Sequence, residues 1–92
     1  MNYCTIDFVV YNPNPFKTYY ITGENSQFGN WDPEEAIPTY KDSSRNSSYV
    51  YPDSIFYCSR GSNLVFKIFH KVEGQKVWES VPGNREYKVE YA

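Results

Sequence analysis

Two tryptophans sit in or just before breaks in the chain. Trp31 falls within Gly29-Asn30-Trp31-Asp32-Pro33, and Trp78 within Lys76-Val77-Trp78-Glu79-Ser80, just ahead of another break. Burial against a regular strand is not guaranteed at such positions, and an indole left open offers a broad apolar face with a polar edge, the chemistry of stacking on a flat ligand. The rest of the sequence offers little for covalent chemistry. General acid–base hydrolysis by carboxyl groups needs a pair of them across a cleft, one raised in pKa. Glu34 and Glu35 are adjacent in a polar loop, and no carboxyl pair lies in an apolar setting. His70, the sole histidine, shares a strand face with Leu64, Phe66 and Ile68 and has no Ser or Cys partner at a readable spacing, so we read it as structural. No glycine loop of the phosphate-binding kind is present. Cys4 and Cys58 show no metal-binding spacing and are too few for a disulfide-built scaffold; we read them as free, buried thiols, with a Cys4–Cys58 pair as the alternative.

The totals narrow the field further. Ninety-two residues allow one hydrophobic core and hence one domain over 1–92. Nine Lys plus Arg against eleven Asp plus Glu give a net charge of -2 with no long run of either sign. That argues against nucleic acid and against an anionic membrane as partners. Aromatic content is the unusual quantity: ten Tyr, six Phe and two Trp make 20% of the chain, more than a core of this size can hide. A surplus of Tyr and Trp at a surface marks recognition, but composition alone leaves a merely tyrosine-rich β-protein equally open.

These residues have to be held by strands. Residues 3–11 alternate, with Cys4, Ile6, Phe8 and Val10 on one side, until Asn12-Pro13-Asn14-Pro15 stops the ladder. A strand over 18–22 ends at Gly23, and a loop rich in Gly, Asn and Ser runs to Pro33. Short strands are predicted over 36–40, 49–51 and 55–58, and a clear one over 64–71. The turn at Glu73-Gly74 joins it to a strand over 75–79, and a last strand covers 86–91 after Pro82-Gly83-Asn84. No window shows a helical period, so seven or eight short strands point to a sandwich or a barrel. Asn46-Ser47-Ser48 fits a glycosylation sequon, which matters only in a secreted chain.

The tryptophan loops, with Phe66-Lys67-Ile68-Phe69 and Pro82-Gly83-Asn84-Arg85-Glu86-Tyr87, resemble in residues, order and spacing the signatures of the starch-binding domain family, the family 20 carbohydrate-binding modules. The resemblance runs from Tyr19-Tyr20-Ile21-Thr22-Gly23 through Asn25-Ser26-Gln27-Phe28-Gly29-Asn30-Trp31 to Glu86-Tyr87. It implies an all-β fold, an antiparallel immunoglobulin-like β-sandwich, with two sites for α-glucan. In the first, Trp31 and Trp78 correspond to paired stacking platforms, and Lys67, Glu79 and Asn84 to polar residues that bond sugar hydroxyls. A glucose ring carries C–H groups on its face and hydroxyls on its rim, so two angled indoles can follow a curved α-1,4 chain while a cation, a carboxylate and an amide read its hydroxyls. Such a site requires no cofactor and no metal. Tyr20, Phe28 and Tyr87 are expected to fill the core or brace the loop.

The second site departs from the family pattern, since the tryptophan usual at the start of the fifth strand is missing. Tyr40, Tyr49 and Tyr51 lie in the right region and Phe16 near another expected aromatic; Tyr40 and Tyr51 are the members we name. The implied partners are starch, glycogen, maltooligosaccharides and cyclodextrins, bound by a non-catalytic, monomeric module. Such a module brings a linked catalytic domain, such as a glucan phosphatase, amylase or glucanotransferase, to the polymer. A β-sandwich protein-interaction module with a degraded sugar site is the alternative. A first strand so near Met1, with no signal peptide, is read as cytoplasmic, with secretion as the alternative.

Overall fold

The computed structural model describes residues 3–89 apart from 12, 15, 43, 46, 47, 53, 54 and 81, with residues 3 and 4 as backbone only. The sequon at Asn46-Ser47-Ser48 therefore lies largely outside the described residues.

Eight antiparallel strands form two unequal sheets among the described residues, and they make the expected all-β sandwich. The small sheet pairs β1 (Tyr3–Ile6) with β5 (Phe56–Ser59). The large one runs β4 (Tyr51–Pro52), β3 (Ile37–Tyr40), β2 (Thr18–Gly23), β6 (Asn63–Val72) and β7 (Gln75–Trp78), and β8 (Arg85–Lys88) also pairs with β6. Phe66 faces Gly23 on one side and Arg85 on the other, and Phe69 faces Tyr20 and Trp78. So β7 and β8 share one edge of β6, each pairing with four of its ten residues.

Alternation decides what each strand buries. Ile21 from β2, Leu64 and Phe66 from β6, and Phe56 and Cys58 from β5 meet between the sheets with Phe28 and Val89, and Ile6, Phe8, Ile37 and Ile68 pack against them. Phe8 stands edge-on to three rings at once, Phe28 at 5.7 Å, Phe56 at 5.2 Å and Phe66 at 5.0 Å. Edge-to-face pairs of this kind are favoured by the ring quadrupoles, beyond the area they bury.

Each predicted strand is present, with changed limits. The first ends at Ile6 rather than at residue 11, because the Asp7 carboxylate accepts the Phe8 N–H at 3.0 Å and takes it out of the ladder. The chain then leaves the small sheet, and Val10 makes an isolated bridge with Val50. The last strand is β8, after which Val89 is held by Gly61 and Ser62 rather than by a neighbouring strand; residues 90 and 91 lie outside the described residues. Two 3-10 turns, Ser26–Phe28 and Pro33–Glu35, interrupt the long loop. A single turn has no period to detect. Cys4 and Cys58 occupy facing positions of the β1–β5 ladder, and the Cys58 side chain is buried.

Candidate functional site

The outer face of the large sheet carries a transverse row of rings. Tyr20, Phe69 and Trp78 are direct cross-strand neighbours on β2, β6 and β7. Directly opposed side chains share a face, and here the ring centroids are 5.1 Å apart at both steps, Tyr20 lying nearly parallel to Phe69 at 12° and Trp78 tilted at 58°. Phe69 is buried within this row and Trp78 ends it with 42% of its surface open. The Lys71 ammonium lies 4.8 Å above the Tyr20 ring. Trp78 is thus fixed from behind and open in front, as a platform has to be. Lys67 is two residues from Phe69 on β6, hence on the same face, and it faces Thr22 across the ladder.

Trp31 is brought to the far end of β2 by a tightly bonded loop. Asn25 caps the first 3-10 turn through its side chain, accepting the Phe28 N–H at 3.1 Å, and Phe28 drops into the core. Gly29 must be glycine: its φ is +79°, and an added Cβ would stand 2.6 Å from the Glu35 carbonyl oxygen. The Trp31 N–H then donates to the Gly23 carbonyl at 2.9 Å, while the Thr22 hydroxyl, on the outer face, donates to the Phe28 carbonyl at 3.2 Å. Asn30 and Trp31 are both left-handed, with φ of 51° and 64°. A bulky residue there is strained by about 1–3 kcal/mol, and it persists only where the surroundings force it. The result is a half-exposed indole in a conformation that glycine would adopt more readily.

Glu79 sits where β7 hands over to β8 on the edge of β6. Its own N–H donates to the Ile68 carbonyl at 3.0 Å, and its Oε2 accepts the Ile68 N–H at 3.2 Å, so the carboxylate stands in for a missing strand. Oε1 accepts from Nε of Arg85 at 2.5 Å, and the side chain is only 15% exposed. A carboxylate has about four lone-pair positions, so two remain for other donors. Asn84 is exposed and immediately precedes Arg85. Trp78, Glu79, Asn84 and Lys67 are therefore gathered by register at one strand handover.

Sequence reasoning quoted Arg85 within the motif from Pro82 to Tyr87 but gave it no role; its further signal was an opposite charge six residues from Glu79 across a Pro-Gly turn. Phe28 is in the core, as expected, while Tyr20 stacks on Phe69 on the outer face of the sheet. Tyr87 is exposed instead, over an open groove of about 410 Å³ that it lines with Ile6, Phe8, Phe66 and Arg85. It lies on β8 at the sheet edge, where no strand among the described residues covers it.

The second region is divided. Tyr40 is exposed and lines an open groove of about 340 Å³ with Pro13, Lys17 and Lys41. Tyr51 is 7% exposed, and the Arg45 guanidinium lies 3.6 Å above its ring while bonding Asp7 at 2.6 Å. Tyr51, named with Tyr40 as a sugar-binding member, thus presents far less open ring than Tyr40 does. Tyr11 and Tyr49 form an edge-on pair at 4.7 Å, and Phe16 is 95% exposed. Among the described residues no group of His, Cys, Asp and Glu could hold a metal ion.

An antiparallel sandwich with open aromatic platforms and a polar rim has the build of a carbohydrate-binding module. The family model described as starch binding domain matches residues 3–92, and the chain belongs to that family of non-catalytic modules for starch-type α-glucans. Among solved structures it is similar to a Glycoside Hydrolase Family 15 glucoamylase from Hypocrea jecorina, with 20% identity and a TM-score of 0.75. The match covers all of this chain and 15% of that one, and at such identity it shows the fold. No curated protein is a significant match to the sequence.

Proposed function

We propose that Trp31 and Trp78 are the two stacking platforms of a site for a curved α-1,4-glucan chain, with Lys67, Glu79 and Asn84 bonding the sugar hydroxyls. The observation that carries this reading is Trp78, an indole braced by Phe69 and Tyr20 and left 42% open in front, in a module of this family. Strain at Trp31 supports it from the other side, because strained non-glycine backbone clusters at ligand sites. Starch, glycogen, maltooligosaccharides and cyclodextrins all present the same curved repeat. Single sites of this kind have micromolar or weaker dissociation constants, on the order of -6 to -8 kcal/mol. As a monomeric module, the domain serves a linked catalytic domain by raising its effective concentration on the polymer.

Trp31 and Trp78 are the only tryptophans, so intrinsic fluorescence reports on the site directly. Titration with β-cyclodextrin or maltoheptaose is expected to give a saturable change. No response at millimolar sugar defeats the proposal and leaves the protein-interaction reading. A second, weaker site around Tyr40 is supported by its exposed ring beside the 340 Å³ groove. Calorimetry of wild type against Tyr40→Ala tests it, since loss of one binding event out of two is expected.

A further inference from the structure

The outer edge of β6 is covered by two strands in succession, and neither reaches its middle. β7 pairs with residues Phe69 to Val72 and β8 with residues Asn63 to Phe66, which leaves Lys67 and Ile68 opposite the connection between them. An edge break of this kind normally leaves backbone groups to water. Here Glu79 meets Ile68 with both its backbone and its side chain. Glu79 receives the Ile68 N–H on Oε2 at 3.2 Å, donates its own N–H to the Ile68 carbonyl at 3.0 Å, and takes Nε of Arg85 on Oε1 at 2.5 Å.

We infer that Arg85 is a positioning residue for the glucan site: its bond to Glu79 clasps the handover from β7 to β8 and so sets the spacing of the groups that meet the sugar. The inference rests on the proposed function and deepens it. Three proposed contact residues are covalent neighbours of clasp members. Trp78 precedes Glu79, Asn84 precedes Arg85 and Lys67 precedes Ile68, while Glu79 belongs to both sets. The connection from residue 79 to 84 contains Pro82 and Gly83, with Gly83 at φ 66°, and the described residues of it lie outside any strand. Among the described residues no ladder bond crosses it, and the side-chain clasp ties its two ends together. Without Arg85, the Glu79 carboxylate can rotate off Ile68 N–H, and Trp78 and Asn84 lose their common anchor.

The test uses Arg85→Ala, Arg85→Lys and Glu79→Gln, each assayed for β-cyclodextrin affinity by tryptophan fluorescence, for thermal midpoint, and for hydrogen exchange at the Ile68 amide. Arg85→Ala is expected to weaken binding about fivefold to twentyfold, a coupling of the size found within one hydrogen-bond network, and to speed exchange at Ile68. Arg85→Lys restores part of the affinity, because an ammonium can reach one carboxylate oxygen but lacks the guanidinium's fixed geometry. Combining Arg85→Ala with Glu79→Gln should cost less than the two losses added, since both break the same clasp. If Arg85→Ala does not fold, Arg85→Lys alone carries the test through its affinity and Ile68 exchange relative to wild type. Wild-type affinity in the folded Arg85 variants, or full additivity of the two substitutions, overturns the inference while leaving the glucan site standing. Failure of the wild-type chain to bind any glucan removes the site itself, and the positioning role with it.

Discussion

Truncating Trp78 is the most direct way to ask whether the open indole works as a platform. A tryptophan exposes about 250 Å² in an extended chain, so 42% exposure leaves about 100 Å² in the folded domain. A sugar seated on one face covers about half to all of it. At about 25 cal/mol per Å², the lost burial is worth about 1.3 to 2.5 kcal/mol, or about 10- to 60-fold in the dissociation constant of Trp78→Ala. Trp78→Tyr keeps a ring over Phe69 and should lose less than half of that. Binding is read by calorimetry, because the substitution removes one of the two fluorophores. Phe69 loses its outer cover in Trp78→Ala, so the thermal midpoint falls by several degrees while the cooperative transition persists, as expected for an edge-strand side chain. Refutation is simple: a folded Trp78→Ala domain that binds β-cyclodextrin as tightly as wild type cannot be using this indole to stack.

Trp31→Gly separates strain from function, since glycine adopts a φ of 64° without penalty; stability by urea denaturation should rise or hold while glucan affinity falls at least tenfold. Gly29→Ala should do the reverse, lowering the urea midpoint sharply or preventing folding, because its Cβ meets the Glu35 carbonyl oxygen at 2.6 Å and the left-handed backbone is lost. Binding of a neutral sugar releases no counterions and needs no metal, so affinity measured in low and high salt, and with and without a chelator, should agree within about twofold. Two hydrogen bonds from Ser44 hold the Asp42 carboxyl below its ordinary range. A lowered carboxyl stabilises the fold above the unfolded value near 3.8 and ceases to do so as pH falls through the folded one. Ser44→Ala should therefore lose stability at neutral pH, move toward wild type in acid, and show this in thermal midpoints across the range.

Much of this molecule was readable from its residues, and for local reasons. Alternation over 64–71 and 18–22, the stop at Asn12-Pro13-Asn14-Pro15 and the turn at Glu73-Gly74 act within a few residues, so all eight strands were visible as segments. The motif residues Trp31, Lys67, Trp78, Glu79 and Asn84 were visible by type and spacing in the same way. Other features depend on segments far apart in the chain meeting, and no local pattern encodes that. Arg45, in a polar loop, covers Tyr51 and bonds Asp7, which closes off a ring that composition left available. β8 lies at an uncovered edge, so Tyr87 is solvent-facing although its sequence neighbours suggested packing. The sequence by itself determined the strand pattern, the absence of a charge-driven surface and which residues are proposed to stack on and bond the sugar, because side-chain type and period two are local properties. Only the tertiary structure decided that β7 and β8 share one edge of β6 with a gap between them. Pairing energy depends on which strands find each other, and that gap is what calls Glu79 and Arg85 into place.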